Sequence, residues 1–331
     1  MIVGKTLNQT LHAAKFSKKD EFYTQLSDIE SELKHYKEHF RNKMVFCNCD
    51  DPRNSNFFNY FAYNFENLGL KKLLTTCYKN QEKDLFIQEE SENAVFLEYT
   101  GDRNGNKVPD AEEIGIKPLK GNGDFRSQET IELLKQSDII VTNPPFSLFR
   151  EYVEQLVKYQ KKFLIIGNIN AITYKEIFKL IKENKAWLGV NMGRGISGFI
   201  VPDHYELYGT EARVDSSGDR IISPNNCLWL TNLDTSKRHE DIVLSKTYYG
   251  NESEYPKFDN YDAINVNKTK DIPMDYKGTM GVPITFLHKF NPEQFELVKF
   301  RKGNDDKDLS IKGKCPYFRI LIKNKRLQHN K

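Results

Sequence analysis

The sequence predicts an α/β fold built on a doubly wound, mostly parallel sheet that a terminal antiparallel strand closes, with a smaller loop-rich region attached. Three observations carry this expectation. The run Ile139-Ile140-Val141-Thr142 is apolar without alternation, as in a strand covered on both faces. Similar short apolar runs near residues 44, 73 and 162 alternate with segments whose apolar residues recur at helical spacing. Beyond Met192 the texture changes to glycine-rich and then to Tyr, Asn, Lys and Asp with little periodicity, as in surface loops.

In order along the chain, Ser27-Asp28-Ile29-Glu30 reads as a capping box that opens a helix carrying Ile29, Leu33, Tyr36 and Phe40 on one face. Met44 to Cys49 is the first strand. Asp50-Asp51-Pro52 ends it, and Asn54 or Ser55 caps a helix with Phe57, Phe61, Phe65 and Leu68 along one side. Leu73 to Tyr78 completes a βαβ unit. The stretch from Lys79 to Asn122 is polar and turn-rich, so Phe96 to Thr100 and Lys107-Val108 are expected to flank a hairpin in an exposed insertion. A helix carrying Ile131 and Leu134 then leads to the strand 138–142. After it, Ser147 is placed as the cap of a helix with Phe149, Val153, Leu156 and Val157. Lys162 to Asn168 and Ala186 to Asn191 are further strands, around a helix opened by Thr173-Tyr174-Lys175-Glu176. Gly193 to Pro202 reads as a glycine-rich entry to a strand and Cys227 to Leu230 as another, and the two are expected to close the sheet as an antiparallel pair. Gly281 to Leu287 looks strand-like, Pro292 to Phe300 helical, and Tyr317 to Ile322 again a strand. The expected organisation is a core over 1–192, a recognition region with closing strands over 193–276, and a C-terminal segment, 277–331, that returns to the core.

Composition narrows the class. With 29% charged residues and no apolar run near the roughly 20 residues a bilayer span needs, a membrane protein is not expected. No secretory signal is visible at the N-terminus, and five cysteines at 47, 49, 77, 227 and 315 form no paired CxxC elements, so reduced thiols, a cytoplasmic setting and no metal are expected. A net charge of +3 does not single out nucleic acid. The tail from Lys312 to Lys331, however, carries Lys312, Lys314, Arg319, Lys323, Lys325, Arg326 and Lys331 without an acid, which suits phosphates and equally a solvated terminus.

The chemistry concentrates in Asn143-Pro144-Pro145-Phe146, directly after the apolar strand. Neither proline can donate to a sheet ladder, so the chain must leave the strand in a rigid, extended turn. Such a turn presents the Asn143 amide oxygen and the Pro144 carbonyl as two fixed acceptors, with Phe146 as a flat apolar face beside them. Two acceptors that take both protons of a ring-bound NH2 draw its nitrogen toward tetrahedral geometry and free its lone pair for attack. The same residues also favour an ordinary turn.

With Phe22-Tyr23-Thr24 ahead of it and Asp124-Phe125 between them, this motif resembles those of the S-adenosylmethionine-dependent DNA adenine N6 methyltransferases. More narrowly the chain resembles the EcoRI-type modification methyltransferases, through Asp20 to Gln25, Cys47 to Pro52, Gly123 to Arg126, Thr142 to Arg150, Gly198 to Pro202 and Gly281 to Phe290. The resemblance implies a methyltransferase Rossmann-like core that binds S-adenosyl-L-methionine. It places Phe22, Tyr23 and Thr24 near the methionine end of that cofactor, Asp124 and Phe125 at its adenine, and Asn143 to Phe146 at the target base. It further implies double-stranded DNA as substrate, an adenine within GAATTC rotated out of the duplex, action as a monomer, and host protection beside a cognate restriction endonuclease that reads the same site.

The chain departs from the family pattern in two places. Where members usually carry a glycine-rich loop, because backbone must approach the cofactor closely, this chain has Phe46-Cys47-Asn48-Cys49-Asp50. The second strand ends in Thr75-Thr76-Cys77-Tyr78, without the acid that commonly meets a ribose. Asp50 or Asp51 is the candidate replacement for a cofactor contact, and Tyr78 the candidate flank of its adenine. Arg194, Arg213, Lys237, Arg238 and Lys268 are candidate DNA contacts. Two rival functions stay open at this stage: a methyltransferase acting on a protein glutamine or an RNA guanine, and a DNA-binding module without catalysis.

Overall fold

The computed structural model describes residues 23–49, 55–76, 94–106, 109, 113–191, 196–201, 207, 212–222, 226–316 and 318–327. The chain divides into two compact units, Met1–Tyr174 with Asn191–Leu233, and Lys175–Val190 with Asp234–Lys331.

The first unit is a mixed α/β structure. Its strands are β1 (Tyr23–Thr24), β2 (Met44–Asn48), β3 (Lys72–Thr76), β4 (Val95–Tyr99), β5 (Gly115–Pro118), β6 (Ile139–Thr142), β7 (Lys162–Asn168), β8 (Phe199–Val201), β9 (Arg213–Val214), β10 (Arg220–Ile222) and β11 (Cys227–Thr231). Its helices are α1 (Leu26–Leu33), α2 (Lys37–Phe40), α3 (Asn56–Tyr63), α4 (Phe65–Leu68), α5 (Gln128–Gln136) and α6 (Phe149–Lys158). The large sheet runs β5-β4-β3-β2-β6-β7-β11, and β3, β2, β6 and β7 are parallel. Burial explains the unalternating sequence: all four residues of β6 are buried, and so are five of the seven in β7. Ser55 accepts from the Phe58 N–H at 3.1 Å and is the cap of α3.

Three expectations are corrected in this unit. The segment read as an exposed hairpin insertion instead widens the sheet, with β4 antiparallel to β3 and β5 antiparallel to β4. Of the expected closing pair, only β11 joins the large sheet, antiparallel to β7, whereas β8 pairs with β1 and β10 in a separate small sheet ordered β1-β8-β10-β9. Helix α1 begins at Leu26, so Ser27 lies inside the first turn and caps nothing. The Asp28 carboxylate instead accepts from the Ser197 N–H at 2.8 Å and the Ser197 hydroxyl at 3.1 Å, and Gln25 Nε2 donates to the Gly198 carbonyl at 2.9 Å. The start of α1 thereby anchors the residues that lead into β8. Burial pushes the Asp28 carboxyl up, since its hydrogen bonds only partly offset its desolvation.

The second unit holds α7 (Lys175–Lys182), the two-residue strand Trp187–Leu188, and a sheet ordered β12-β13-β15-β14, from β12 (Ala263–Asn265), β13 (Thr279–Pro283), β14 (Phe295–Phe300) and β15 (Arg319–Asn324). The expected helix at 292–300 is β14, antiparallel to β15. The expected strand 281–287 ends at Pro283 and passes into a 3-10 turn over Ile284–Lys289. The basic tail is less free than its sequence suggests. Arg319 is buried at the head of β15, and Arg326 pairs with Asp241 at 3.2 Å and Glu293 at 2.9 Å. No described helix is long and apolar enough to cross a membrane, and no group of three or more potential ligands for a metal occurs among the described residues.

Candidate active site

Parallel strands β2, β3, β6 and β7 end at Asn48, Thr76, Thr142 and Asn168 on one edge of the sheet. In open α/β sheets this is the edge that takes ligands. Strand β6 delivers Asn143 there. Asn143 and Pro144 are buried, and Pro145 and Phe146 are half-buried. Pro145 has φ −55° and ψ 122°, its carbonyl accepts from the Leu148 N–H at 3.0 Å, and a 3-10 turn over Phe146–Leu148 leads into α6. Leu148, not Ser147, stands at the cap position of that helix, without a capping side chain.

The turn is held from two sides. On one, the Phe146 ring meets Phe199 edge to face, with 6.0 Å between centroids. Phe199 lies opposite Thr24 in the small sheet, so the folded chain gathers Tyr23-Thr24 and Asn143 to Phe146 around β8. Asn56 Nδ2 fixes this point by donating to the Thr24 carbonyl at 2.8 Å. On the other side, the Thr142 hydroxyl donates to the Asn48 carbonyl, and the Tyr152 hydroxyl of α6 donates to the Asn48 amide oxygen. Tyr152 is fully buried, which pushes its hydroxyl pKa far up, and its ring meets Phe125 edge-on at 5.1 Å. Asn48 thus connects the strand that leads into Asn143 to the helix after it and, through Tyr152, to Phe125.

Cys47 is buried, and its carbonyl accepts from the Thr75 hydroxyl at 2.6 Å. Cys49 has φ +68°, a left-handed backbone that glycine adopts without strain. The conformation that glycine would supply is therefore present without the glycine. Cys49→Gly is expected to stabilise the protein by about 1 kcal/mol, and Cys49→Val to destabilise it by about 1–3 kcal/mol, both read by thermal denaturation. Among the described residues, Asn48 Nδ2, Thr76 Oγ1 and Thr24 Oγ1 are buried with no hydrogen-bond partner. Buried polar atoms of this kind cost stability unless something meets them.

Asp124 is gripped by Arg126, whose Nε donates to Oδ1 at 2.9 Å and whose Nη2 donates to Oδ2 at 2.6 Å. The hydrogen-bonded guanidinium holds the Asp124 carboxyl below the usual range, so the group stays ionised and an acceptor. Phe125 is buried, and its carbonyl accepts from Gln155 Nε2 at 2.9 Å. Arg126 also lies over the Phe125 ring at 5.3 Å.

The remaining candidates separate. Phe22, Asp50, Asp51, Tyr78 and Arg194 lie outside the described residues. Arg213, Lys237 and Lys268 are exposed. Arg238 is turned inward: its guanidinium lies 3.7 Å over the Trp187 ring, pairs with Asp234 at 3.3 Å and donates to Asn184, and its side chain is 9% exposed. That placement suits a support inside the second unit better than a DNA contact. Sequence reading missed Arg126 and Tyr152. For Tyr152 a signal existed, since it shares the buried face of α6 with Phe149, Val153 and Leu156 and so needed a partner for its hydroxyl. Nothing local marked Asn48 as that partner.

Comparison with known proteins identifies the family. The family model described as "Adenine-specific methyltransferase EcoRI" matches residues 10–325. Type II methyltransferase M.EcoRI of Escherichia coli is 70% identical over 97% of this chain and 98% of its own length. Type II methyltransferase M.MgeORF184P of Mycoplasma genitalium is 40% identical over 95% of this chain and 98% of its own length. Type II methyltransferase M.MpnI of Mycoplasma pneumoniae is 38% identical over 94% and 96%. No solved structure matches the chain. The near full-length family match and these identities establish that the chain belongs to the EcoRI family of adenine-specific methyltransferases, and that it is an enzyme.

Proposed function

We propose that the enzyme methylates N6 of an adenine rotated out of double-stranded DNA, within GAATTC, using S-adenosyl-L-methionine. The observation that carries this reading is the Asn143 to Phe146 turn at the ligand-binding edge, seated against Phe199 of the sheet that holds Tyr23-Thr24. The large sheet serves as a methyltransferase Rossmann-like core, and residues 193–276 serve as the recognition region.

The residues present fit the cofactor. Asn48 Nδ2 and Thr76 Oγ1 are buried polar atoms at the right edge that want partners, and the ionised Asp124 is an acceptor suited to an amino group. Asp124 would hold the cofactor adenine, with Phe125 as a buried wall, while Thr24, Asn48 and the backbone at Cys49 would meet its remaining polar groups. Phe22, Tyr23, Cys47, Asp50, Asp51 and Tyr78 complete the proposed set. Bound there, S-adenosyl-L-methionine supplies an electrophilic methyl group on a sulfonium.

The chain's part is positioning. The Asn143 amide oxygen and the Pro144 carbonyl accept the two amino protons and keep the nitrogen lone pair directed out of the ring plane. Pro145 fixes the turn, and Phe146 stacks on the extruded base and offsets part of its unstacking cost, a few kcal/mol. The surplus proton leaves to solvent after transfer. Exposed Arg213, Lys237 and Lys268 are proposed backbone contacts that make binding salt-dependent. The enzyme is proposed to act as a monomer in the cytoplasm, where its product is refractory to a restriction endonuclease that reads the same sequence.

The test is incubation with radiolabelled S-adenosyl-L-methionine and plasmids with or without GAATTC, followed by nucleoside analysis. Label in N6-methyladenine only when GAATTC is present is the expected result. Label in adenine elsewhere overturns the site, and label in protein or RNA overturns the substrate.

A further inference from the structure

The second unit carries a cleft of about 1070 Å3 whose lining includes Arg301, Asp308, Phe318, Arg319 and Asn267. None of these belongs to the methyl-transfer site, and Arg301 lies outside the proposed recognition region. Arg301 is the residue that stands out. Its guanidinium lies 4.2 Å over the ring of Phe318, and its Nε forms an ion pair with Asp308 Oδ1 at 3.1 Å. Phe318 is itself 45% exposed, so the ring and the guanidinium stacked on it both reach the surface of the cleft. The side chain of Arg301 is 38% exposed. With one face on a ring and Nε on a carboxylate, the guanidinium has its plane and direction fixed, and its two terminal Nη groups form the edge left to meet a ligand.

The wall that holds it is built and not loose. Arg301 donates its N–H to the Arg319 carbonyl at 2.9 Å and has φ +32°, a backbone that a non-glycine residue seldom adopts. The connection from Arg301 to Phe318 is pinned at several points. Asn260 Nδ2 donates to the Asp308 carbonyl at 2.8 Å, and Asn260 Oδ1 accepts from the Ser310 N–H at 3.0 Å. Asp259 accepts from the N–H groups of Lys312 and Gly313, and Leu309 packs in a buried cluster with Phe258, Ala263 and Leu321. A backbone this constrained next to an exposed ring and a clamped cation is characteristic of a binding position.

We infer that Arg301 is a specificity-determining residue that reads the major-groove edge of a guanine, donating from its two Nη groups to O6 and N7. This rests on the proposed DNA substrate. A phosphate needs no such preparation, because exposed lysines such as Lys302, Lys312 and Lys314 on the same connection carry flexible stems that can reach one from many directions. A base edge demands a planar fork held at one angle, and the guanidinium fork against O6 and N7 is the pairing that geometry favours. The surroundings favour DNA as well. From Phe295 to Leu327 the sequence has ten Lys or Arg against four Asp or Glu.

The test profiles methylation by the full-length enzyme on a library of duplexes randomised around the modified adenine, for wild type, Arg301→Ala and Arg301→Lys. The wild type is expected to require a guanine at one position. Arg301→Ala is expected to lose about 5- to 150-fold of the preference for guanine at that position while keeping its preferences elsewhere, as follows from the roughly 1–3 kcal/mol such a pair contributes to discrimination. Arg301→Lys keeps the charge and tests the same point if the alanine variant does not fold, and it should lose the guanine preference too. Asp308→Asn, which weakens the clamp, should shift in the same direction by less. An even loss over all sequences with a shallower salt dependence would make Arg301 a phosphate contact and overturn the inference. So would an unchanged profile, or a wild-type site without a guanine. If the wild type methylates adenine in a site other than GAATTC, the proposed target falls, and Arg301 is judged on the guanines of the site actually found.

Discussion

Asn143→Ala is expected to lower kcat for methyl transfer by at least about 100-fold, the usual consequence of removing one preorganised polar group from a reacting centre. The reason is geometric. The amide sits at the end of a strand whose residues are all buried, with Thr142 anchored to the Asn48 carbonyl just before it and two prolines just after it. Little of the molecule should notice its loss, because the backbone on both sides is fixed by other groups. Thermal stability and DNA affinity should therefore stay near wild type while turnover collapses. A parallel fall in melting temperature would instead mean that Asn143 is a packing residue. Phe146→Ala should act differently, by removing stacking of about 1–3 kcal/mol per base, and Phe146→Tyr should restore most of it. Measured by single-turnover methylation under saturating DNA, the two positions separate into a chemical defect and a defect in holding the base.

The legibility of this site in the sequence follows from how local each signal is. Ile139 to Phe146 could be read directly, because a strand buried on both faces and a proline-enforced exit are properties of eight consecutive residues. Phe199 carried strand character of its own, whereas Tyr23-Thr24 entered only through the family resemblance, and their pairing across the small sheet is a long-range event that no local pattern encodes. Asn48 is the sharpest case. In sequence it occupied a place where glycine was expected. In the structure its carbonyl and amide oxygen take hydroxyls from Thr142 and Tyr152, and this network holds the edge together. The missing glycine was a real departure, and at Cys49 the backbone takes the left-handed conformation that a glycine adopts without strain.

The misread elements have equally plain causes. Pro292 and Glu293 look like a helix entry, and they outweighed the alternation in Phe295-Glu296-Leu297, where buried, exposed and buried residues mark the strand that forms. The residues from Val95 to Pro118 looked like an insertion because β5 is exposed throughout and offers no apolar run, although its backbone completes the edge of the large sheet. An edge strand needs hydrogen bonds more than apolar side chains, so its sequence is quiet. The C-terminal tail misled through charge. One of its cations, Arg326, pairs with Asp241 and Glu293 from distant segments, which a local count of acids does not see.

Gly167→Ala should cost about 1–3 kcal/mol of stability, the range for overpacking a filled interior, and should lower activity beyond what that loss explains. Gly167 lies in β7, between β6 and β11, and a Cβ there would come within 2.5 Å and 2.6 Å of two atoms of the Phe149 ring. That ring is 2% exposed and is the first residue of α6, immediately after the Phe146–Leu148 turn. The ring has little free space to move into, so the strain passes to the helix start and from there to the turn that holds Phe146. Tyr152 and its bond to Asn48 lie one helical turn further on and should be disturbed with it. The double variant Gly167→Ala with Phe149→Leu removes the clash and should recover much of the stability lost by the glycine change alone, a coupling readable in a double-mutant cycle. Additive effects in that cycle would show that the added methyl is absorbed elsewhere, and that the packing of β7 under α6 does not set the position of the catalytic turn.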